Sequence, residues 1–279
     1  MLVSDFTFVI VTFRSEELID DCLKDLPNDV KKIVVENSGN IDLKKKIEKK
    51  YENLECFLMS DNLGYGKANN FGILKSKTDF VFIINPDTKV TNEKFEKIIS
   101  MLKNRDFAIA APQIIENNKA YKQNKKNGDV EKVNQVPGMA MILNKKKFKD
   151  KFFDENFFLY LEEIDLCRRI KDLGEDILEV NVELNHLGGL SHGKYDLEME
   201  HSRNWHWMWS NFYFSRKYNG YLYALLTTLP KFISYLIKFY FYSILKKENE
   251  KDKYKMRFLG LLNSYLLKKS FYRPYNKKT

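Results

Sequence analysis

The amino-acid sequence predicts an α/β fold: a mostly parallel sheet flanked by helices, with a helical, amphipathic extension at the C-terminal end. Three observations carry the prediction. Short runs rich in β-branched and aromatic residues alternate with stretches of helical spacing through the first half of the chain. The polar stretches between runs are long enough for the crossover helices that parallel strands require. Far downstream, 222–245 is strongly apolar, with its few polar residues three or four positions apart, and a basic segment follows.

The strand-like runs are 6–12, 32–35, 55–59 and 79–84, and the helical stretches are 16–26, 43–51, 65–76 and 91–102. Another apolar run, 107–111, precedes a Lys-, Asn- and Gln-rich stretch at 117–134 that reads as a loop or long hairpin. Apolar order returns at 136–143 and 152–160, then a helix is expected over about 162–173 and a strand over 177–184. Ligands of such sheets sit beyond the carboxyl ends of the strands, so the chemistry is expected in the segments just after them.

A chain of 279 residues can bury one good-sized core, or one core with a smaller appendage. With 44% hydrophobic residues, 12 Gly and 6 Pro, the composition excludes a disordered or collagen-like chain. Cys22, Cys56 and Cys167 are odd in number and lack a C-x-x-C pair, which fits reduced thiols in a cytosolic protein better than a disulfide frame or zinc site. The first residues show no basic region and no cleavage site, so the expected location is cytoplasmic. The net charge is +9, of which 246–279 carry +8 (eleven Lys or Arg, three Asp or Glu), leaving about +1 for residues 1–245. This is a basic tail and not a basic domain.

Several segments carry residues suited to chemistry. Asn85-Pro86-Asp87-Thr88 follows the strand at 79–84, where a carboxylate can project into a crevice as a hard ligand for a divalent ion; alone it is an ordinary turn sequence. Asp61 to Asn70 (DNLGYGKANN) opens a helix, and its glycines allow backbone N–H groups to approach a phosphate, although a G-x-G is by itself weak. Glu162, Asp165 and Arg169 share one helix face beside aromatics, either as a solvated ion-paired face or with a Glu as general base. His186 and His192 flank Gly188-Gly189 past the last strand, a placement suited to a metal ligand.

The order of these segments is more specific than any one of them. Val11-Thr12-Phe13-Arg14, Ile33-Val34-Val35-Glu36-Asn37-Ser38, Asn62 to Asn70, Asn85-Pro86-Asp87-Thr88, Phe153 to Tyr160 with Glu162 to Cys167, and His186 to Ser191 occur in sequence. On these motifs the chain, from Phe8 to about Gly220, resembles family 2 glycosyltransferases of the GT-A (Rossmann-like) fold, in particular the bacterial rhamnosyltransferase-like branch. The resemblance implies an inverting, metal-dependent transfer of a sugar from a nucleotide-diphosphate donor to a hydroxyl of a glycan or lipid-linked acceptor in surface polysaccharide synthesis. It implies that Thr12 and Glu36 line the base and ribose pocket, and that Asn62, Gly64, Gly66, Lys67, Asn69 and Asn70 hold nucleotide and pyrophosphate. Asp87 stands where the family's metal-binding carboxylate stands, with Asn85 replacing the first Asp of an Asp-x-Asp form, and His186 matches a second ligand to Mg²⁺ or Mn²⁺. Glu163 occupies the position of the acceptor base, with Glu162 as the fallback. Relatives often carry Asp at positions 36 and 163, so each Glu here sets its carboxylate one methylene further out. The branch favours dTDP-rhamnose as donor, with UDP- and GDP-sugars as alternatives.

Two domains are expected: a catalytic domain over 1–220 and a basic amphipathic helical tail over 221–279. Lys231 and Lys238 near the middle of 222–245 argue against a membrane span, since each costs roughly 2.5–3.5 kcal/mol at a helix centre. Thr227, Lys231, Ser234, Lys238 and Tyr242 form a narrow polar stripe on an otherwise apolar helix. This is the pattern of a helix lying in the bilayer interface, and it places the protein peripherally on the inner face of the cell membrane, on anionic lipid and not on nucleic acid. The other reading is a helix packed on the catalytic domain or in a homodimer. A catalytically inactive scaffold of the same fold at the membrane is the alternative function, because Glu163 is atypical.

Overall fold

Alternate residues of the first strand turn to opposite faces, and both faces are buried. In β1 (Phe6–Thr12), Phe6, Phe8 and Ile10 pack into one apolar cluster and Val9 into another, as expected for a central strand covered by helices on both sides. The computed structural model describes residues 1–116, 119–120, 128–149, 152–186 and 197–273. They divide into two compact units, the described residues of 1–154 and 163–186 in the first, and those of 155–162 and 197–273 in the second.

In the first unit β1 is followed by α1 (Ile19–Leu23), β2 (Lys31–Glu36), α2 (Ile41–Lys50), β3 (Leu54–Leu58), α3 (Tyr65–Lys75), β4 (Phe80–Ile84), β5 (Thr88–Lys89) and α4 (Asn92–Leu102). Then come β6 (Ile109–Glu116), β7 (Lys119–Ala120), β8 (Val130–Lys132), β9 (Ala140–Asn144), α5 (Glu162–Asp172) and β10 (Ile177–His186). The sheet order is β3-β2-β1-β4-β9-β6-β10-β5, with β7 paired to β6 and β8 to β10. Strands β3, β2, β1 and β4 are parallel; β9 enters antiparallel between β4 and β6, and β6 and β10 are again parallel.

One face of the sheet buries Phe6, Phe8, Phe82 and Phe95, with ring centroids 5.0 to 6.2 Å apart, together with residues of α1, α2 and α4. The other takes α3 and α5 through Ala68, Ile73, Leu166, Cys167 and Ile170. Helix α3 lies so near the sheet that a Cβ on Gly72 would fall 2.5 Å from a Val9 methyl. The helices start where the sequence supplies caps: Asn40 Oδ1 accepts from Leu43 N at 2.9 Å and Thr91 Oγ1 from Lys94 N at 3.4 Å. Helix α1 is shorter than the stretch 16–26; its backbone turns in at Ser15, and Pro27 disfavours helical geometry at Leu26. All three cysteines are buried, and none is in a disulfide.

The second unit contains α6 (Leu197–Asn219), α7 (Tyr221–Ile244) and α8 (Glu248–Tyr265). The sequence reading places its boundary at 220, whereas the compact unit takes in α6 as well. Met208 and Phe212 of α6 meet Ala224 of α7 and Leu261 of α8, and Gly260 lets α8 approach the Trp205 carbonyl where a Cβ would be only 2.3 Å away. No helix among the described residues is long and apolar enough to cross a membrane.

His206 is a buried hub of this unit. Its ring stacks on Phe158, its Nε2 donates to the Tyr272 carbonyl at 2.7 Å, and its Nδ1 accepts from Ser270 Oγ at 2.9 Å. A carbonyl can only accept, so the neutral ring carries its proton on Nε2. Burial, with the Arg273 charge adding to it, lowers its pKa to about 3 against the opposing bond to Tyr272. The unfolded chain therefore takes up this proton first. His206 leaves stability unchanged above about pH 6.5 and subtracts from it as pH falls towards 3, by about 1.4 kcal/mol per pH unit. His206→Gln is expected to unfold at lower urea than wild type at pH 7, with the gap narrowing at pH 4; an unchanged gap contradicts this account.

Candidate functional site

The parallel strands end together. Thr12 pairs with Glu36 at the carboxyl ends of β1 and β2, and Ile10 pairs with Ile84 just before Asn85. Thr12 is fully buried, and its Oγ1 has no hydrogen-bond partner among the described residues. Glu36 is also buried, and its carboxylate accepts from Ser38 N at 3.0 Å, from the Ser38 hydroxyl and from Asn40 N at 2.6 Å. It thereby shapes the turn into α2.

The loop into α3 is built by Asn37 and Asn62. Asn37 accepts from Leu63 N at 3.2 Å and donates to the Gly64 carbonyl at 3.3 Å, while Asn62 Oδ1 accepts from Gly64 N at 3.0 Å. Gly64 stands at φ +79, in the left-handed region that glycine enters without strain, and no side chain caps α3. The first backbone N–H groups of α3 are thus presented by a glycine-opened turn. Gly66 is buried beside them and Lys67 is exposed. Asn69 Nδ2 donates to the Tyr65 carbonyl at 3.0 Å, and its Oδ1 has no partner among the described residues. Asn70 is instead bound by both arms of its amide to the Phe153 backbone, 2.9 Å each, and anchors that segment to α3.

Backbone pairing brings Asp87 and His186 together. The end of β10 runs antiparallel to β5, matching Asn185 to Lys89 and His186 to Thr88, one residue past Asp87. Asp87 is 3% exposed and His186 7%, and Asp87 Oδ1 lies 3.1 Å from His186 Nε2. The distance is that of an ion pair but the angles are not those of a hydrogen bond, and neither His186 ring nitrogen has a hydrogen-bond partner among the described residues. Cys22 Sγ donates to the Asn85 carbonyl at 3.8 Å; burial, and after it the Asp87 charge, holds this thiol protonated far above its ordinary range. Gly188, Gly189 and His192 lie outside the described residues.

The segment before β9 links this corner to the predicted base. Asn85 N donates to the Met139 carbonyl at 2.9 Å, and Thr88 Oγ1 donates to the same oxygen at 3.4 Å. The preceding residue, Gly138, accepts from the Tyr65 hydroxyl and lies against Glu163; a Cβ there would meet Glu163 Cβ at 3.4 Å and the Tyr65 hydroxyl at 3.5 Å. Glu163 is partly exposed and Glu162 buried. Tyr160 and Leu161, just before α5 in sequence, stand at φ +71 and +70, an unusual backbone for two consecutive residues with side chains. Asp165 is taken up at 2.8 Å by Arg169, which also donates to the Phe152 carbonyl, so this pair ties α5 down.

Comparison with known proteins matches the description "Glycosyl transferase family 2" over residues 7–168, more than half of the chain. The chain belongs to glycosyl transferase family 2. Its sheet flanked by helices is the GT-A glycosyltransferase fold. It is 23% identical over 195 residues to the low-salt glycan biosynthesis hexosyltransferase Agl10 of Haloferax volcanii, covering 61% of this chain and 62% of that protein. It is 26% identical over 161 residues to the dTDP-rhamnosyl transferase RfbF of Shigella flexneri, covering 51% and 54%. The chain thus spans less than two thirds of the length of either relative. The solved mannosyltransferase PcManGT of Pyrobaculum calidifontis, in complex with GDP-Man and Mn²⁺, superposes with a TM-score of 0.58 at 10% identity, covering 93% of this chain and 86% of that one.

Two residues of this family 2 chain that the sequence reading does not assign to the site hold it together. Asn37 pins the loop into α3, and an Asn just past a strand-like run was its signal. Gly138 holds the Tyr65 hydroxyl on its carbonyl and lies beside Glu163, signalled by a Pro-Gly immediately before an apolar strand. A Cβ at Gly138 would make ordinary van der Waals contact with Glu163 and Tyr65, so Gly138→Ala is expected to fold as wild type does, with its urea midpoint unchanged and nucleoside diphosphate affinity within about twofold. A loss of more than about 1 kcal/mol of stability would contradict this fit.

Proposed function

We propose that the chain is an inverting, metal-dependent hexosyltransferase that moves a sugar from a nucleotide-diphosphate donor to a hydroxyl of a glycan or lipid-linked acceptor. The observation that carries this reading is the buried Asp87–His186 pair, 3.1 Å apart, at the edge of the sheet where Thr12, Glu36 and Asn85 also end. A buried carboxylate and a buried imidazole whose nearest atoms lie 3.1 Å apart fit a divalent ion such as Mg²⁺ or Mn²⁺. Among the described residues no group of three or more His, Cys, Asp or Glu gathers, so the remaining ligands would be diphosphate oxygens and water. When bound, the ion would neutralise charge on the departing diphosphate. The Mn²⁺ named with PcManGT supports this choice.

The chain's own residues supply the rest. The uncapped start of α3, with Gly64 and Gly66, receives phosphate oxygens on backbone N–H groups, and Lys67 offers a cation beside them. Thr12, Asn62 and Asn69 provide polar contacts to the nucleotide; Glu36 acts through the turn that it holds. Glu163 removes the acceptor proton as the acceptor oxygen bonds to the anomeric carbon, and the bond to the diphosphate breaks with its electron pair leaving on phosphate. A single displacement inverts that carbon. Glu162 is the fallback base. The name of RfbF supports dTDP-rhamnose as the donor, while that of PcManGT supports a GDP-sugar. We place the reaction in surface polysaccharide assembly, peripherally on the inner face of the cell membrane.

Release of nucleoside diphosphate from dTDP-rhamnose, UDP- and GDP-sugars with purified enzyme tests the reading. Asp87→Ala and Glu163→Gln should each lower transfer about 10²- to 10⁴-fold, the usual contribution of such groups, with unchanged circular dichroism. Wild-type turnover in either variant would remove that residue from the mechanism.

A further inference from the structure

Helix α7 presents two unlike faces. One packs within the second unit: Ala224 and Thr228 are buried, Thr228 Oγ1 lies 3.0 Å from the Tyr265 hydroxyl, and Phe232 and Phe239 meet Tyr265 and Phe258 at ring distances of 5.4 and 5.5 Å. The opposite face is apolar from end to end. Leu222, Leu226, Leu229, Ile233, Ile237 and Ile244 follow at three-, four- and seven-residue steps and are 72, 69, 38, 49, 62 and 79% exposed. Tyr223, Tyr240 and Phe241 are exposed beside them. Most of the large apolar side chains exposed among the described residues fall between 221 and 271, a concentration that marks an interaction surface.

The charges framing this face indicate what covers it. Helix α7 contains no carboxylate, and Lys231 and Lys238, seven residues apart, share the flank of Thr227 and Ser234. Lys246 and Lys247 follow at its end, both exposed, and the next carboxylates, Glu248 and Glu250, are ion-paired to Lys251 and Lys253. An apolar strip edged by lysines and aromatic rings matches a bilayer interface, with methyl groups among acyl chains and ammonium groups reaching anionic headgroups. A second copy of this chain would meet those lysines with its own. Because one side of α7 is covered by its own unit, the helix cannot be lipid-exposed all round, and so lies in the plane.

We infer that the exposed face of α7, from Leu222 to Ile244, is a docking surface for an anionic membrane, with the helix axis parallel to the bilayer. The inference deepens the peripheral-membrane part of the function proposed above and does not require the transfer chemistry. The test is sedimentation of the full chain with vesicles of phosphatidylcholine alone or with one-third phosphatidylglycerol, beside the double variant Ile233→Glu/Ile237→Glu. Wild type should bind the anionic vesicles at least tenfold more tightly than the neutral ones, and the double variant should lose that binding while keeping its circular dichroism. Lys231→Ala/Lys238→Ala should weaken binding to anionic vesicles alone, and decides the matter should the acidic variant fail to fold. Wild type that ignores anionic vesicles, or acidic substitutions that leave binding unchanged, would overturn the inference. So would a stable dimer in sedimentation velocity that the acidic pair converts to monomer without any wild-type vesicle binding. Nucleoside diphosphate affinity, measured on the same samples, should be unchanged in both variants; its absence in all of them speaks against the transferase reading and leaves the membrane result standing.

Discussion

The pairing of the end of β10 with β5 is the constraint on which the site depends. Asp87 and His186 are 99 residues apart in the chain, and neither is informative alone. Two bridge pairs, Asn185 with Lys89 and His186 with Thr88, fix their side chains at 3.1 Å. β10 can reach that place only because it also runs parallel to β6 along its length, which anchors it across the sheet. β4 in turn delivers Asn85 and Asp87 from a central strand buried from Val81 to Ile84, so the position of the carboxylate follows from core packing. The hydrophobic order of the strands is what aims the polar residues at their ends.

The same logic decides how much was legible beforehand. Strands β1 to β4 and helices α2 to α5 stand out in the sequence because each buries a regular face and is bounded by caps or turn residues, as at Asn40 and Thr91. The site segments follow those strands and are legible by their order. Helix α6 is not, because Met199, Trp205, Met208, Trp209 and Phe212 are interleaved with buried Ser202, Asn204, His206 and Ser210, and no single apolar stripe emerges. Strand β5 is only two residues long, so its pairing with β10 has no periodic signal. Asn70 has the type and place of a ligand-binding residue but spends its amide on the Phe153 backbone, a partner 83 residues away that local pattern cannot reveal.

The site is assembled from side chains held by backbone. Asn37 grips the loop into α3 through a main-chain carbonyl and a main-chain N–H, Asn85 and Thr88 grip the Met139 carbonyl, and Tyr65 grips that of Gly138. Such bonds locate loops that carry no core of their own, each contributing about 0.5–1.5 kcal/mol net while costing more if one partner is removed. Elsewhere the second unit follows the opposite rule. Its helices α6 and α8 meet at Gly260 through direct backbone approach, and among the described residues α7 keeps a wide apolar face exposed.

The central claim is that Asp87 and His186 form one half of a metal–diphosphate site, and calorimetric titration of Mn²⁺ into the protein, with and without saturating nucleoside diphosphate, tests it most directly. Weak Mn²⁺ binding that tightens at least tenfold with the diphosphate, and is lost in His186→Ala as well as in Asp87→Ala, is the predicted result. Mn²⁺ affinity that ignores the nucleotide, or that survives His186→Ala unchanged, would contradict the claim.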